Sequence, residues 1–187
     1  MLKEKSFISV VIYLHNNEHV ISDFLKNLDD KLNQHFDVYD FTLVNDFSTD
    51  ASLEQIRATA SQLLGNVTIV NMAWMHGEEL AILAGKDSAI GDFVYEIESP
   101  ENDWDVELIW ELYTKAMEGF DIVAATPRRG GRLISKLFYR LFRRISHLHM
   151  DLSTESITLI SRRALNSVLM SKEKFRYRKL LYKLTGF

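Results

Sequence analysis

Apolar runs of strand length alternate with stretches of helical spacing over the first two thirds of the chain, and that alternation restricts the fold more than composition does. Residues 7–14 (FISVVIYL) are continuously apolar and rich in β-branched side chains, as a strand buried on both faces of a parallel sheet must be. In 18–36, Val20, Ile21, Phe24, Leu25, Leu28 and Leu32 recur at intervals of three and four, which makes one face of a helix. Residues 41–44 read as a second strand. The polar run from Asn45 to Asp50 then leads into a helix over about 51–64, with Asp50 as N-cap and Gly65 as stop. Further strands fall at 67–71, 93–97 and 121–125, separated by helices over 78–89 and 105–117 that close at Gly91 and Gly119. Repeated strand–helix–strand order predicts right-handed crossovers and one doubly wound, mostly parallel α/β sheet, Rossmann-like, with helices on both faces. Ligands of such sheets bind at the carboxyl ends of the strands, so the loops to inspect follow Leu14, Val44, Asn71, Ile97 and Thr126.

The length of 187 residues is that of one domain, and no repeat or Pro/Gly-rich linker divides it. Apolar residues at 47% and charged residues at 26% exclude a disordered chain. The absence of cysteine excludes disulfides and thiolate metal sites, and suits a reducing compartment. No run approaches the roughly 18 apolar residues of a spanning helix.

Charge is divided unevenly. Residues 1–127 hold 7 Lys and Arg against 23 Asp and Glu, a net of −16, whereas 128–187 hold 15 against 3, a net of +12. A basic last third on an acidic body points to an anionic partner, phosphates or a membrane surface. Within it, 132–146 (RLISKLFYRLFRRIS) sets Leu133, Ile134, Leu137, Phe138, Leu141, Phe142 and Ile145 on one helical face bordered by Arg and Lys. Such a helix either lies in the headgroup layer of a membrane or packs its stripe on the sheet as core.

Two polar clusters stand at strand ends: Asn45 to Asp50, and Glu96 to Asp103. Carboxylates at the rim of a parallel sheet can hold a hard divalent cation that bridges a diphosphate. Taken singly, Asp46 and Ser48 equally well shape a turn and cap the next helix. The placement of both clusters on strand ends favours the ligand reading.

Ser9-Val10-Val11-Ile12 with Asn16, then Leu43-Val44-Asn45-Asp46-Phe47-Ser48-Thr49-Asp50, resemble the opening S-V-V-I-P-x-Y-N-E and later V-D-D-G-S-T-D of the family-two glycosyltransferases. The likeness continues through Gly77, Glu79, Leu83-Ala84-Gly85, Ala89-Ile90-Gly91-Asp92, Gly119-Phe120-Asp121-Ile122-Val123, Arg128, Ser135-Lys136-Leu137-Phe138-Tyr139 and Leu159-Ile160-Ser161-Arg162-Arg163-Ala164. It covers almost the whole chain in order, and the branch it is most similar to is that of the polyprenyl-phosphate glycosyltransferases, dolichol-phosphate mannose synthases among them. The resemblance implies a nucleotide-diphospho-sugar transferase fold and transfer, with inversion, from a nucleoside diphosphate sugar to a polyprenyl phosphate or glycan, as in bacterial cell-wall or polysaccharide synthesis. It places residues 1–187 as a nucleotide-sugar-binding domain and the soluble part of a longer protein. It further implies a cytoplasmic location, peripheral at the inner face of the membrane through 132–146, with no nucleic-acid partner.

Carried over residue by residue, the resemblance assigns nucleotide binding to Tyr13, His15, Asn16, Asn17, Asn45, Asp46 and Gly77. Asn45 stands for the first Asp of V-D-D, His15 for a stacking Tyr, and Glu78 for a Lys. The family's D-x-D falls on Glu98-Ser99-Pro100, so an Mg²⁺ or Mn²⁺ ion would rest on Glu98 with help from Asp103. Arg128, Arg129 and Ser135 would hold donor or acceptor phosphates, and Glu155 would be the catalytic base. The departures at Asn45, Glu78 and Pro100 leave a second reading, a catalytically degenerate binding or scaffolding module.

Overall fold

The computed structural model describes residues 2–101, 104–125, 156–170 and 177–184. In chain order the elements are β1 (Ile8–Leu14), α1 (Ile21–His35), β2 (Tyr39–Asn45), α2 (Ser52–Ala60), β3 (Asn66–Asn71), α3 (Glu78–Ser88), β4 (Phe93–Ile97), α4 (Leu108–Met117), β5 (Ile122–Ala125), β6 (Ile157–Ser161), α5 (Arg162–Leu169) and α6 (Arg178–Leu184). The six strands form one sheet in the order β3-β2-β1-β4-β6-β5. The pairs β1–β2, β2–β3 and β1–β4 are parallel, while β6 runs antiparallel between β4 and β5.

The chain builds outward from β1 to β3 and then returns across the sheet to β4 on the other side of β1. The strand order therefore reverses at β1 and β4, and the crevice outside their carboxyl ends is the switch point of the sheet. Leu14, Asn45 and Asn71 lie level there, through the pairs Leu14↔Asn45 and Asn45↔Asn71.

Alternation within the central strands divides the core into two layers. Ile8, Val10, Ile12 and Leu14 of β1 pack with α1, α2 and α4, whereas Val11 faces α3, α5 and α6. The α1 stripe of Ile21, Leu25, Leu28 and Leu32 is fully buried, and each such side chain contributes about 1.5–3 kcal/mol. On the opposite face α3 sits so close to the sheet that a Cβ on Gly85 would lie 2.5 Å from Val11 Cγ1 and 2.6 Å from Val44 Cγ2, so only glycine fits.

The α/β, mostly parallel architecture with helices on both faces is the one the sequence pattern predicts. Differences of detail have local causes. Helix α2 stops at Ala60 rather than near 64, because the Asp29 carboxylate draws the amides of Leu64 and Gly65 away at 2.9 and 3.0 Å. Helix α4 begins at Leu108 rather than 105, since Asp105 Oδ1 turns the chain by accepting from Glu107 N at 3.0 Å. Strand β6 is not predicted by the sequence pattern.

Candidate functional site

The loops after β1 and β2 brace each other. Asn16, in the left-handed region at φ 55° where asparagine is tolerated, donates its amide to Ser48 Oγ at 3.0 Å and accepts from Thr49 N at 2.8 Å. The buried Asn17 donates its backbone N–H to Ser52 Oγ at 2.7 Å, and its Oδ1 accepts from His15 N at 2.8 Å. Its Nδ2 reaches Glu101 Oε1 at 3.1 Å, which ties the β1 loop to the segment after β4. Glu18 and Asp50 exchange bonds across the same gap: Ala51 N donates to Glu18 Oε2 at 2.7 Å, and Glu18 N to Asp50 Oδ2 at 3.1 Å.

Asp46 is the centre of this arrangement. Its side chain is fully buried, with Oδ1 accepting from His76 N at 2.8 Å and Oδ2 accepting from Gly77 N at 2.8 Å and from the Tyr13 hydroxyl at 3.3 Å. Gly77 has φ 84°, a conformation that favours glycine, and from it the amide turns toward the carboxylate. Burial, then the Asp46 charge and its hydrogen bond, push the Tyr13 phenol up to about 12. The Asp46 carbonyl can only accept, so His15 Nδ1 carries the proton of their 2.8 Å contact and Nε2 accepts from Asn16 Nδ2 at 3.3 Å. Asn45 holds β3 in place by donating from Nδ2 to Asn71 Oδ1 at 2.6 Å. Around this set Asn16, Phe47, Trp74 and Met75 stand exposed, with Trp74 stacked on His76 at 5.1 Å. The structure thus brings Tyr13, His15, Asn16, Asn17, Asn45, Asp46 and Gly77 into one connected group, in which the Asp46 carboxylate fastens the end of β1 and the loops after β2 and β3 together.

Glu98 belongs to a second cluster, which sequence reasoning missed. Arg178, at the start of α6 and 3% exposed in its side chain, places its guanidinium among four carboxylates from α3, β4 and the residue just after β4. Its nitrogens lie 2.5 Å from Glu78, 3.0 Å from Glu79, 3.1 Å from Glu96 and 3.3 Å from Glu98. Lys179 adds a second contact to Glu98 at 3.2 Å, and Lys86 meets Glu96 at 2.9 Å in the interior. The Tyr182 hydroxyl closes the group by bonding both Lys86, at 2.8 Å, and Glu96. Burial raises the Glu96 carboxyl, but Lys86 and Arg178 outweigh it and hold the group below the ordinary glutamate range. For Arg178 burial works against the charge, and Glu96 and Glu79 more than reverse it. A local signal did exist: Lys86 and Glu96 are charged residues within apolar elements, and such residues require partners when buried.

Glu78 faces this cluster with its pKa pushed up to about 7 from 4.5, by burial first and then by Glu98, against the pull of Arg178. Between these values the folded protein holds a proton that the unfolded chain has released, so this carboxyl lowers stability as pH rises through the window. Glu78→Gln removes that loss. Relative to the parent, the variant should gain about 1 kcal/mol between pH 5 and pH 8, a figure reduced for the solvent screening of a partly exposed side chain. Urea denaturation at the two pH values measures this, and an unchanged difference would show that the carboxyl ionises normally.

Asp103, Arg128, Arg129, Ser135 and Glu155, with the 132–146 stretch, lie outside the described residues. A cleft of about 460 Å³ between α1 and the loop before α4, lined by Phe24, Lys31, Pro100 and Trp104 among others, includes none of the expected site residues that are described.

The sheet order and the interlocked loops at its switch point define a doubly wound α/β domain, a class whose ligands bind at the strand ends. The model of the family described as glycosyl transferase family 2 matches residues 9–169, and this chain belongs to that family. It is 32% identical over 186 residues to an uncharacterized glycosyltransferase of Synechocystis sp., covering 96% of this chain and 58% of that protein. Over 147 residues it is 30% identical to the undecaprenyl-phosphate 4-deoxy-4-formamido-L-arabinose transferase of Edwardsiella ictaluri, covering 74% of this chain and 45% of that one. The chain therefore spans about half the length of these relatives. Among solved structures, glucosyl-3-phosphoglycerate synthase from Mycobacterium tuberculosis, in complex with Mn²⁺, UDP-glucose and phosphoglyceric acid, superimposes with a TM-score of 0.67 at 19% identity, over 87% of this chain and 59% of that one. The glycosyltransferase fold expected from the sequence is the observed one.

That neighbour carries Mn²⁺, so the residues here must be tested against such an ion. Glu98 is already paired with Arg178 and Lys179, and Pro100 has no side-chain ligand. Among the described residues no three His, Cys, Asp or Glu side chains are placed to share a metal. The described residues do not fit a resident divalent cation.

Proposed function

We propose that this chain forms the donor-binding domain of a glycosyltransferase that passes a sugar from a nucleoside diphosphate sugar to a polyprenyl phosphate, with inversion. The observation that carries the reading is the convergence of the end of β1 and the loops after β2 and β3 on the Asp46 carboxylate at the switch point. The undecaprenyl-phosphate transferase among the relatives supports a lipid phosphate over a hydroxyl acceptor. In the reaction an acceptor phosphate oxygen attacks the anomeric carbon as the bond to the diphosphate breaks, and the nucleoside diphosphate leaves. A phosphate acceptor is already an anion and needs little help from a base, so Glu155 becomes necessary only for a hydroxyl acceptor. Arg128, Arg129 and Ser135 would hold phosphates, and the basic 132–146 stretch would rest on the inner face of the membrane that carries the lipid. Among the described residues no helix is long and apolar enough to cross a membrane. Glu98 would serve a divalent cation only by giving up Arg178 and Lys179.

The ion pairing of Glu98 also favours the second reading, a binding or scaffolding module without transfer. A thermal-shift screen of UDP, GDP, CDP and TDP and their sugars separates the two when paired with a transfer assay on undecaprenyl phosphate. A nucleotide at about 100 times its dissociation constant adds roughly 2.7 kcal/mol, or several degrees in a domain of this size. Such a shift with one base, together with labelled lipid, is the expected result. A shift without any transfer favours the scaffolding module, and no shift with any nucleotide overturns the donor-binding reading.

A further inference from the structure

We propose that this site has exchanged the divalent cation for side chains of its own, with Arg178 and Lys179 of α6 occupying the place on Glu98 that a metal would take. The inference rests on the nucleotide-sugar reading and specifies how that site handles charge. Among the described residues the four carboxylates of Glu78, Glu79, Glu96 and Glu98 face three cations, Lys86, Arg178 and Lys179, a formal balance of −1. A divalent ion is drawn to uncompensated oxygens, and this cluster arrives almost compensated.

An ion could still win Glu98 if the competing side chains were free to leave, but Arg178 is fastened from several directions. Its backbone N–H and Nε both bond Glu79 Oε2, at 2.9 and 3.0 Å, and Nη1 bonds the buried Glu96 at 3.1 Å. Withdrawing the guanidinium would leave Glu96 with Lys86 and Tyr182, which is costly for so buried a charge. The helix that delivers Arg178 is itself anchored, with Leu181 and Tyr182 buried against α3, α5 and the sheet. Pro100 closes the alternative of recruiting a second ligand two residues on from Glu98.

The chemical consequence concerns the leaving group. Negative charge accumulates on the diphosphate as the sugar departs, and fixed cations aimed at that charge stabilise it without reorganising. Of the three cations, Lys179 is the one nearest solvent, at 14% exposed in its side chain against 3% for Arg178 and none for Lys86. It is therefore the group placed to meet a diphosphate oxygen, with Arg178 behind it.

Two measurements on the full 187-residue chain test this. Mn²⁺ alone is titrated into the protein and the free-ion paramagnetic signal followed, with no loss of signal expected. Uptake of one ion per chain that disappears in Glu98→Gln would overturn the inference. In the second, the thermal shift produced by UDP or GDP is recorded in EDTA and again in Mn²⁺, and the same shift is expected in both. A shift that needs Mn²⁺ would overturn the metal-free site while leaving the nucleotide reading intact. If neither nucleotide produces a shift in either buffer, the nucleotide reading fails, and the Mn²⁺ titration alone then decides the inference.

Discussion

Arg178→Met is expected to lower folding stability by about 3–5 kcal/mol, the range for removing one partner from a buried ionic group. The methionine can fill much of the volume of the arginine stem, so the loss isolates the guanidinium. Without it Glu79 loses its guanidinium partner, and Glu96 depends on Lys86 and Tyr182. Helix α6 would also lose the guanidinium bonds from its first turn to α3, keeping the backbone N–H of position 178 on Glu79, the Lys179–Glu98 pair and the contacts of Leu181 and Tyr182. Lysine at the same place should recover little, because a point charge cannot present several planar donors to carboxylates on different sides. The effect should persist at high salt, since the group is screened by protein rather than by counterions. Urea denaturation at pH 7 of the parent, Arg178→Met and Arg178→Lys gives the comparison. A loss under 1 kcal/mol for the methionine variant would mean that α6 is held without the guanidinium.

The frame of the molecule was legible in the sequence because its signals are local. The run FISVVIYL reads as a buried strand wherever it occurs, and the α1 stripe reads as a helix from its spacing alone. Strand β6 carries no such signal: ITLIS is five residues long, and nothing within five residues states that it will run antiparallel between β4 and β5. The candidate site divides in the same way. That Asn16, Asn17, Asn45 and Asp46 gather at strand ends follows from topology, and the structure brings them together. What the Asp46 carboxylate binds does not follow, because its partners at 76 and 77 are backbone amides, which every residue but proline possesses. Arg178 meets Glu79 from 99 residues away, and Glu78 from 100, so the pairing exists only once the sheet has closed. Lys86 and Glu96 announce a buried charge in their own elements, but not the arginine that completes it.

Asp46→Asn, a change of a single atom type, is expected to cost about 2–3 kcal/mol and to lower the melting temperature by about 5–10 °C. The carboxylate accepts on both oxygens, from His76 N on one and from Gly77 N and Tyr13 on the other. An amide has one accepting atom, so in either orientation its NH₂ confronts a backbone N–H in a site closed to water. The turn would answer locally before the fold does. Gly77, at φ 84°, and His76 both donate to Asp46, and Trp74 and Met75 just before them are exposed. Hydrogen exchange at the His76 and Gly77 amides should therefore quicken in the variant, while the amides of β1 and β2 that pair within the sheet change only by the global loss. Nucleotide response should fall further than stability does, because this one carboxylate holds the turn after β3 against the end of β1. If exchange at His76 and Gly77 rises no more than exchange across the sheet, the carboxylate is a packing residue and the loops hold their places without it.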